Sequence, residues 1–463
     1  MKKVLTRSLL TWFLALVFFV GLGYFVVRLV TNASYWAQLP MNQHLSSNGL
    51  ARAGAIYDRN GVVLAESVEG ERVYNSDESV RKAVLHTVGD DSTAIATSVQ
   101  SMYRNDLVGY SFLLGLGLPE SFRSTKDITL TIDSQACAAV YNAMAANGYK
   151  GAAVVYNYNT GEIICKVSTP TYDPYSPPQI EEGDDTWEGV YLDKVISAAY
   201  PPGSTFKLVT AAAALEMINN SADRYLFCEG SSIIGGEYVT CVEPHDQIDM
   251  TMAMAYSCNI YFAELAVELG APTMQSYADR FGFNQSFSMG NIDIKKSFYN
   301  VSKADDAGLA WSGVGQYTDM ANPLHMAMIS SAIANGGSPV MPYLIKDVSS
   351  VLNIGSLMAG KSGQSGKEMM KSSTANKLAD MMRTTVRDHY GDSTFGEFHA
   401  AAKTGTAEVG DGTEDGWVVG FLTDEDCPLA FAVCIENGGF GISSAVPIAR
   451  TAVEACAPVV RGY

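Results

Sequence analysis

Nineteen consecutive residues, Leu9 to Val27, carry no charge and are interrupted only by Thr11, Gly21 and Gly23. A helix rises about 1.5 Å per residue, so this run nearly crosses a hydrocarbon layer of about 30 Å. Everything downstream must therefore fold beside a membrane, or after losing its leader. A secretory signal has an apolar core of about 7–15 residues, shorter than this run. A retained anchor over residues 9–30 is expected, although Thr31-Asn32-Ala33 loosely resembles a cleavage site. Lys2, Lys3 and Arg7 precede the run and only Arg28 closely follows it. That bias predicts a cytoplasmic stub over 1–8, a single pass, and an extracellular bulk.

The chain has 463 residues, of which 47% are apolar and 17% charged, enough for two or three domains with large cores. Its net charge of −18 repels phosphate backbones, which argues against nucleic acid as a partner. Eight cysteines are too sparse for a disulfide scaffold. The six histidines form no His-Glu-x-x-His run and no Cys-x-x-Cys is present, so no metal and no cofactor are expected.

Residues 31–150 read as a small mixed pedestal module. Ala55-Ile56-Tyr57 and Val62-Val63-Leu64 flank Asp58-Arg59-Asn60-Gly61, a hairpin signature. Asp127–Ile132 alternates like a strand, and Asp133 or Ser134 can cap a helix running to about Ala146. A second unit, 151–463, begins with apolar strands at Ala152–Tyr156 and Glu162–Val167. Helical patterns cover Phe206–Met217 and Met252–Leu269, and three strand-like runs (Ala401–Val409, Trp417–Leu422, Leu429–Ile435) precede a closing helix over Val446–Val459. Strands at both ends with helices between predict an α+β fold around an antiparallel sheet. The Gly/Ser-rich stretch Gly355–Gly366 reads as an exposed loop.

Three short motifs carry the chemistry. In Ser204-Thr205-Phe206-Lys207, the serine opens an apolar helix and the lysine lies one turn on, within reach of its hydroxyl. Ser257-Cys258-Asn259 follows inside the helical region; Ser257 can relay a proton and Asn259 can hold a substrate amide. Lys403-Thr404-Gly405-Thr406 lies on a strand, where Gly405 lets a substrate backbone approach closely. Each motif has a decoy: Ser79-Val80-Arg81-Lys82, Ser46-Ser47-Asn48 and Lys361-Ser362-Gly363. The decoys lack the apolar helix or strand; the ordered trio has all three settings.

That order resembles the penicillin-binding proteins and serine β-lactamases. Tyr57-Asp58-Arg59-Asn60-Gly61, Leu130-Thr131-Ile132-Asp133 and Ser168-Thr169-Pro170-Thr171-Tyr172-Asp173-Pro174 are similar to class B penicillin-binding proteins, the monofunctional peptidoglycan D,D-transpeptidases. Gly315-Gln316, Asn322-Pro323-Leu324 and Gly416-Trp417-Val418-Val419-Gly420-Phe421 extend the likeness. The short pedestal resembles the compact Gram-positive branch of PbpA-type and sporulation or division enzymes.

The resemblance implies a penicillin-binding transpeptidase fold, an antiparallel sheet sandwiched by helices. It implies a stem-peptide D-Ala-D-Ala donor, an amine acceptor, and β-lactams as covalent inhibitors. Ser204 would be acylated, with Lys207, Ser257, Asn259 and Lys403 as its catalytic company. Lys403, Thr404 and Thr406 would hold the substrate carboxylate, and the backbone N–H groups of Ser204 and Thr406 would form the oxyanion hole. Burial and the like charge of Lys403 would both depress the Lys207 pKa. A polytopic glycosyltransferase partner at the anchor and pedestal is also implied. A β-lactamase of the Ser-Asp-Asn type needs a Glu-x-x-Leu-Asn element, which is not found after Asn259. A D,D-carboxypeptidase stays open as an alternative, because pocket details choose between water and amine. A penicillin sensor would need an output domain where eight residues precede the anchor, and three intact motifs argue against a non-catalytic scaffold. Cys228 and Cys241 form a disulfide or remain thiols; His245 reads as a structural hydrogen-bonding group, and Cys258 as a small side chain facing away from the site.

Overall fold

The computed structural model describes residues 2–38, 50, 53–92, 94–109, 125–181, 183–349, 363–410 and 412–462. The first helix, Lys2–Gln38, contains the apolar stretch Thr6–Arg28 with mean hydropathy 2.3. None of that stretch is buried by the rest of the protein, and Trp12, Phe18 and Phe19 stand bare. Its 23 residues would reach about 35 Å, enough to cross a bilayer core.

A five-stranded antiparallel sheet organises the larger unit. Its order is Ala400–Glu408, Glu414–Leu422, Leu429–Glu436, Lys150–Asn157, Ile163–Thr169. The expected strands therefore pair across nearly the whole chain, Leu429 opposite Asn157 and Ala400 opposite Leu422. Most residues of the four inner and far strands are buried, whichever way they point. That is the mark of a sheet covered on both faces, and it explains why they read as apolar runs rather than alternating ones. Helices Ser134–Ala146 and Ala445–Arg461 pack together against the sheet, and Pro323–Ala334 packs on it separately.

The smaller sheet runs Ile345–Val348, Ile128–Leu130, Ile56–Tyr57, Val63–Val68, Glu71–Tyr74. One edge strand thus returns from far beyond residue 150. The Asp58–Gly61 turn is the joint between the two sheets' surroundings. Asp58 accepts from Asn60 and Val62 N–H at 2.8 and 2.9 Å and from the Ser134 hydroxyl at 2.7 Å. Asn60 donates to Asp133 at 2.8 Å, while Asp133 caps the following helix through Ala136 N–H. Arg81 bridges to Asp173 at 2.5 Å, tying the helix Glu78–Val88 to the irregular segment after Thr169.

Candidate active site

The serine motif sits where the chain turns sharply into a helix. Residues Gly203–Phe206 form one 3₁₀ turn, followed by the α-helix Lys207–Met217. Gly203 has φ +52, and a Cβ there would lie 2.4 Å from the Thr406 carbonyl oxygen. Only glycine allows this turn to press against the sheet edge. Phe206 is fully buried, stacked on Tyr299 at 5.0 Å, so the turn is anchored from beneath.

The second motif was expected inside a helical region; the structure places it at a break. Helix Met250–Ala255 ends, Ser257 adopts a left-handed φ of +57, and helix Asn259–Arg280 begins. The conformation is strained for a residue with a Cβ. It brings Ser257 to the two buried lysines and lets the Cys258 sulfur cap the new helix through Tyr261 N–H.

The third motif occupies the edge strand Ala400–Glu408. Thr404 N–H donates to the Tyr390 hydroxyl at 3.1 Å and its carbonyl accepts from Lys403 at 2.9 Å, so its peptide groups point out of the sheet. Strand periodicity turns Thr406 the same way, and its carbonyl lies at the Gly203 turn. Gly405 differs from expectation in one respect. A Cβ there would meet the Pro202 carbonyl at 2.9 Å and Thr205 at 3.0 Å, so its smallness lets the strand pack on the serine turn. It still lines the cleft.

The three motifs converge. Lys207 Nζ lies within hydrogen-bond distance of Ser204 Oγ at 3.0 Å, Ser257 O at 2.6 Å, Ser257 Oγ at 3.1 Å and Asn259 Oδ1 at 2.7 Å, more partners than its three N–H groups can serve at once. Lys403 Nζ reaches the same Ser257 Oγ at 2.9 Å. Asn259 is held by its amide, which donates to Thr240 O at 2.8 Å. A cleft of about 640 Å³ opens above this floor, lined by Ser204, Ser257, Asn259, Thr404, Gly405 and Thr406, with Trp311, Tyr256 and Phe440 as apolar walls. A second depression of about 580 Å³, between Gly396 and Arg461, contains none of the motif residues.

Both lysines are completely buried. Burial lowers the Lys207 ammonium from its ordinary 10.5 to about 7, while nearby Cys258 and Cys241 pull weakly the other way. Lys403 is pushed well below 10.5, first by burial and then by the positive charge of Lys207. The like-charge effect expected on Lys207 thus falls on Lys403: loss of solvation accounts for the Lys207 shift.

Tyr390 is a site residue that sequence reasoning missed. It lies in a π-helical turn, Thr385–Gly391, and its hydroxyl meets Thr404 Oγ1 at 2.8 Å. Trp417 is fully buried, and its indole N–H also secures Pro201 O at 3.0 Å beside the serine turn. Of the decoys, Lys82 is spent on Glu78 at 2.6 Å; Ser46-Ser47-Asn48 and Lys361-Ser362 lie outside the described residues, as does most of the Gly355–Gly366 stretch. Cys228 and Cys241 are not joined by a disulfide, their sulfurs standing 3.8 Å apart.

The sequence model of the penicillin binding protein transpeptidase domain matches residues 151–454. A peptidoglycan D,D-transpeptidase PbpA of Mycolicibacterium smegmatis is 26% identical over 455 residues, covering 90% of this chain and 91% of that protein. Penicillin-binding protein 3 of Bacillus subtilis is 30% identical over 389 residues, covering 78% of this chain and 56% of that one. Among solved structures, the D,D-transpeptidase domain of a peptidoglycan glycosyltransferase from Eggerthella lenta matches with TM-score 0.75 at 28% identity, over 88% of this chain and 98% of that one. Penicillin-binding protein A from M. tuberculosis, as a penicillin G acyl-enzyme complex, matches with TM-score 0.72 at 26% identity, over 88% and 99%. With three motifs on one cleft floor and a family match across residues 151–454, well over half of its length, the chain belongs to the penicillin-binding transpeptidases, in their class B.

Proposed function

We propose that this chain is a peptidoglycan D,D-transpeptidase acting through an acyl-enzyme on Ser204, and that β-lactams acylate the same hydroxyl. The observation that carries the reading is the bond from Lys207 to Ser204, made by an amine that is half neutral near pH 7. Neutral Lys207 takes the Ser204 proton as Oγ attacks the carbonyl carbon between the two D-Ala residues. Backbone N–H groups of Ser204 and Thr406 receive the oxyanion; such donors contribute roughly 3–4 kcal/mol when removed singly.

The C–N bond then breaks. The departing D-Ala amine takes its proton through Ser257, which bridges Lys207 and Lys403. An acceptor amine attacks the ester, loses its proton to Lys207, and Ser204 recovers its hydrogen as the new amide leaves. Asn259 orients the donor amide, and Thr404, Thr406 and the charge of Lys403 suit the terminal carboxylate. Tyr390, bonded twice to Thr404, fixes that hydroxyl as a positioning residue.

The finer topology belongs with this reading. Lys2, Lys3 and Arg7 keep the N-terminus cytoplasmic, and the cleft faces outward. A polytopic glycosyltransferase would meet the bare apolar helix and the pedestal. Fluorescent penicillin tests the core of the proposal. Wild type and Ser79→Ala should be labelled and Ser204→Ala should not. Label kept by Ser204→Ala overturns the assignment, and rapid release as hydrolysed drug favours a β-lactamase.

A further inference from the structure

We propose that Cys228, Cys241, His245 and Cys258 form a closed zinc site that fastens the second motif to the wall of the cleft. The four ligand atoms, three Sγ and one ring nitrogen, all lie within 4.8 Å of one another. Cys228 and Cys241 Sγ are 3.8 Å apart, Cys241 and Cys258 Sγ 3.7 Å, and Cys228 Sγ lies 3.3 Å from His245 Nδ1. A tetrahedral zinc with bonds of about 2.3 Å to sulfur and 2.0–2.1 Å to nitrogen has edges of about 3.8 and 3.6 Å. The Cys228–Cys241 and Cys241–Cys258 sulfur pairs are thus spaced as ligands of one ion, at roughly twice the length of a sulfur–sulfur bond.

The backbone is arranged for thiolates. Asn259 N–H points at Cys241 Sγ from 3.2 Å and Tyr261 N–H at Cys258 Sγ from 3.4 Å. N–H donors aimed at sulfur stabilise the anionic, metal-binding form, as supporting bonds do around metal thiolates. Three thiolates and one neutral imidazole are a soft set that selects zinc, and they leave no open position for substrate. The ion is therefore structural, and its binding releases the thiol protons to solvent.

The fold gives the site a task. Leu226–Cys228 and Asp246–Ile248 make a two-stranded ribbon, and Ser231–Ile234 with Glu237–Thr240 make a short hairpin. Two-stranded pieces are marginal alone and gain from a metal staple. Cys228 and His245 sit at the ribbon end, Cys241 follows the hairpin, and Cys258 caps the helix Asn259–Arg280. Cys258 stands between Ser257 and Asn259, while Thr240, which holds the Asn259 amide, precedes Cys241. One ion would lock the left-handed Ser257 turn against Thr240–Val242 of the cleft wall. His245 stacks on Tyr256 at 5.5 Å, which fixes the ring with Nδ1 toward the sulfurs.

The test uses the full-length chain in detergent, purified without chelator under reducing conditions. Elemental analysis should find one zinc per chain, lost in the Cys228→Ser/His245→Ala double variant and kept in Cys427→Ser. Cobalt(II) added to chelator-stripped wild type should give the intense visible bands of a tetrahedral cobalt thiolate. Stripping should slow penicillin acylation by about 10–100-fold, and added zinc should restore it. Because metal content does not depend on the nucleophile, Ser204→Ala should keep its zinc, so failure here and failure of the transpeptidase reading are separable. A chain that neither carries zinc nor takes up zinc or cobalt, or one isolated without reductant that carries a Cys228–Cys241 disulfide, overturns the site. Zinc whose removal leaves acylation unchanged overturns its positioning role. If the double variant does not fold, the stripped and reloaded wild type decides.

Discussion

Among the described residues, Lys166 and the Lys207–Lys403 pair are buried on opposite terms. Lys166, 2% exposed on the strand Ile163–Thr169, meets the buried carboxylate of Asp193 and the Thr87 hydroxyl at 3.1 Å. Lys207 and Lys403, both 0% exposed, end on hydroxyl, carbonyl and amide oxygens, with no carboxylate partner among the described residues. A buried ammonium needs a counter-charge or it gives up its proton. The first arrangement is a structural ion pair; the second, two amines sharing one serine hydroxyl, keeps a base available near neutral pH. In the proposed mechanism, the lack of a carboxylate partner separates a catalyst from a strut.

Exchange of either lysine for methionine should expose this contrast. Lys207→Met should lower the acylation rate by about 10²–10⁴-fold, measured by stopped-flow with a chromogenic β-lactam. Lys207→Arg should not rescue it, because a guanidinium does not deprotonate. Lys166→Met leaves Asp193 buried without its cation and should cost about 3–5 kcal/mol in denaturant unfolding, with acylation of the folded fraction unchanged. Equal behaviour of the two variants would break the comparison. Ser257→Ala keeps the left-handed turn but removes the hydroxyl joining the lysines, so acylation should drop about 10²-fold. Ser257→Gly should lose as much rate while relaxing the strain at φ +57, so its unfolding midpoint should not fall.

The smallest effect is also the most counterintuitive. By removing an uncompensated buried amine, Lys207→Met should raise stability by about 1–2 kcal/mol. The sign also shows in pH. The unfolded chain holds the Lys207 proton up to its ordinary 10.5 whereas the folded chain releases it at about 7. The unfolded state therefore binds more protons between those values, and this lysine's contribution makes stability rise with pH across that window. Lys207→Met should flatten that rise in paired melts at pH 7 and 9.

The motifs were legible because each is local: a serine and lysine one turn apart, a Ser-x-Asn triplet, a lysine on an apolar strand. The helix expected from the Asp133 or Ser134 cap to about Ala146 was legible from that cap, and it forms as Ser134–Ala146. Other features depend on distant pairing. The edge strand Ile345–Val348 carries no mark of the small sheet it joins. Tyr390 reaches Thr404 only because a π turn rotates its face toward the strand. The Cys/His cluster is not legible as a metal motif, because twelve residues separate Cys228 from Cys241 and His245 from Cys258, unlike compact Cys-x-x-Cys spacing. The break at Ser257 was hidden by apolar helix-forming residues on both sides.

The central claim is that desolvated Lys207 supplies the base for Ser204, and the pH dependence of penicillin acylation tests it most directly. The second-order rate constant should climb as pH rises and level off, with its midpoint at about 7. A flat profile, or one still climbing toward the ordinary lysine value of 10.5, would mean that Lys207 stays charged and that another group takes the proton.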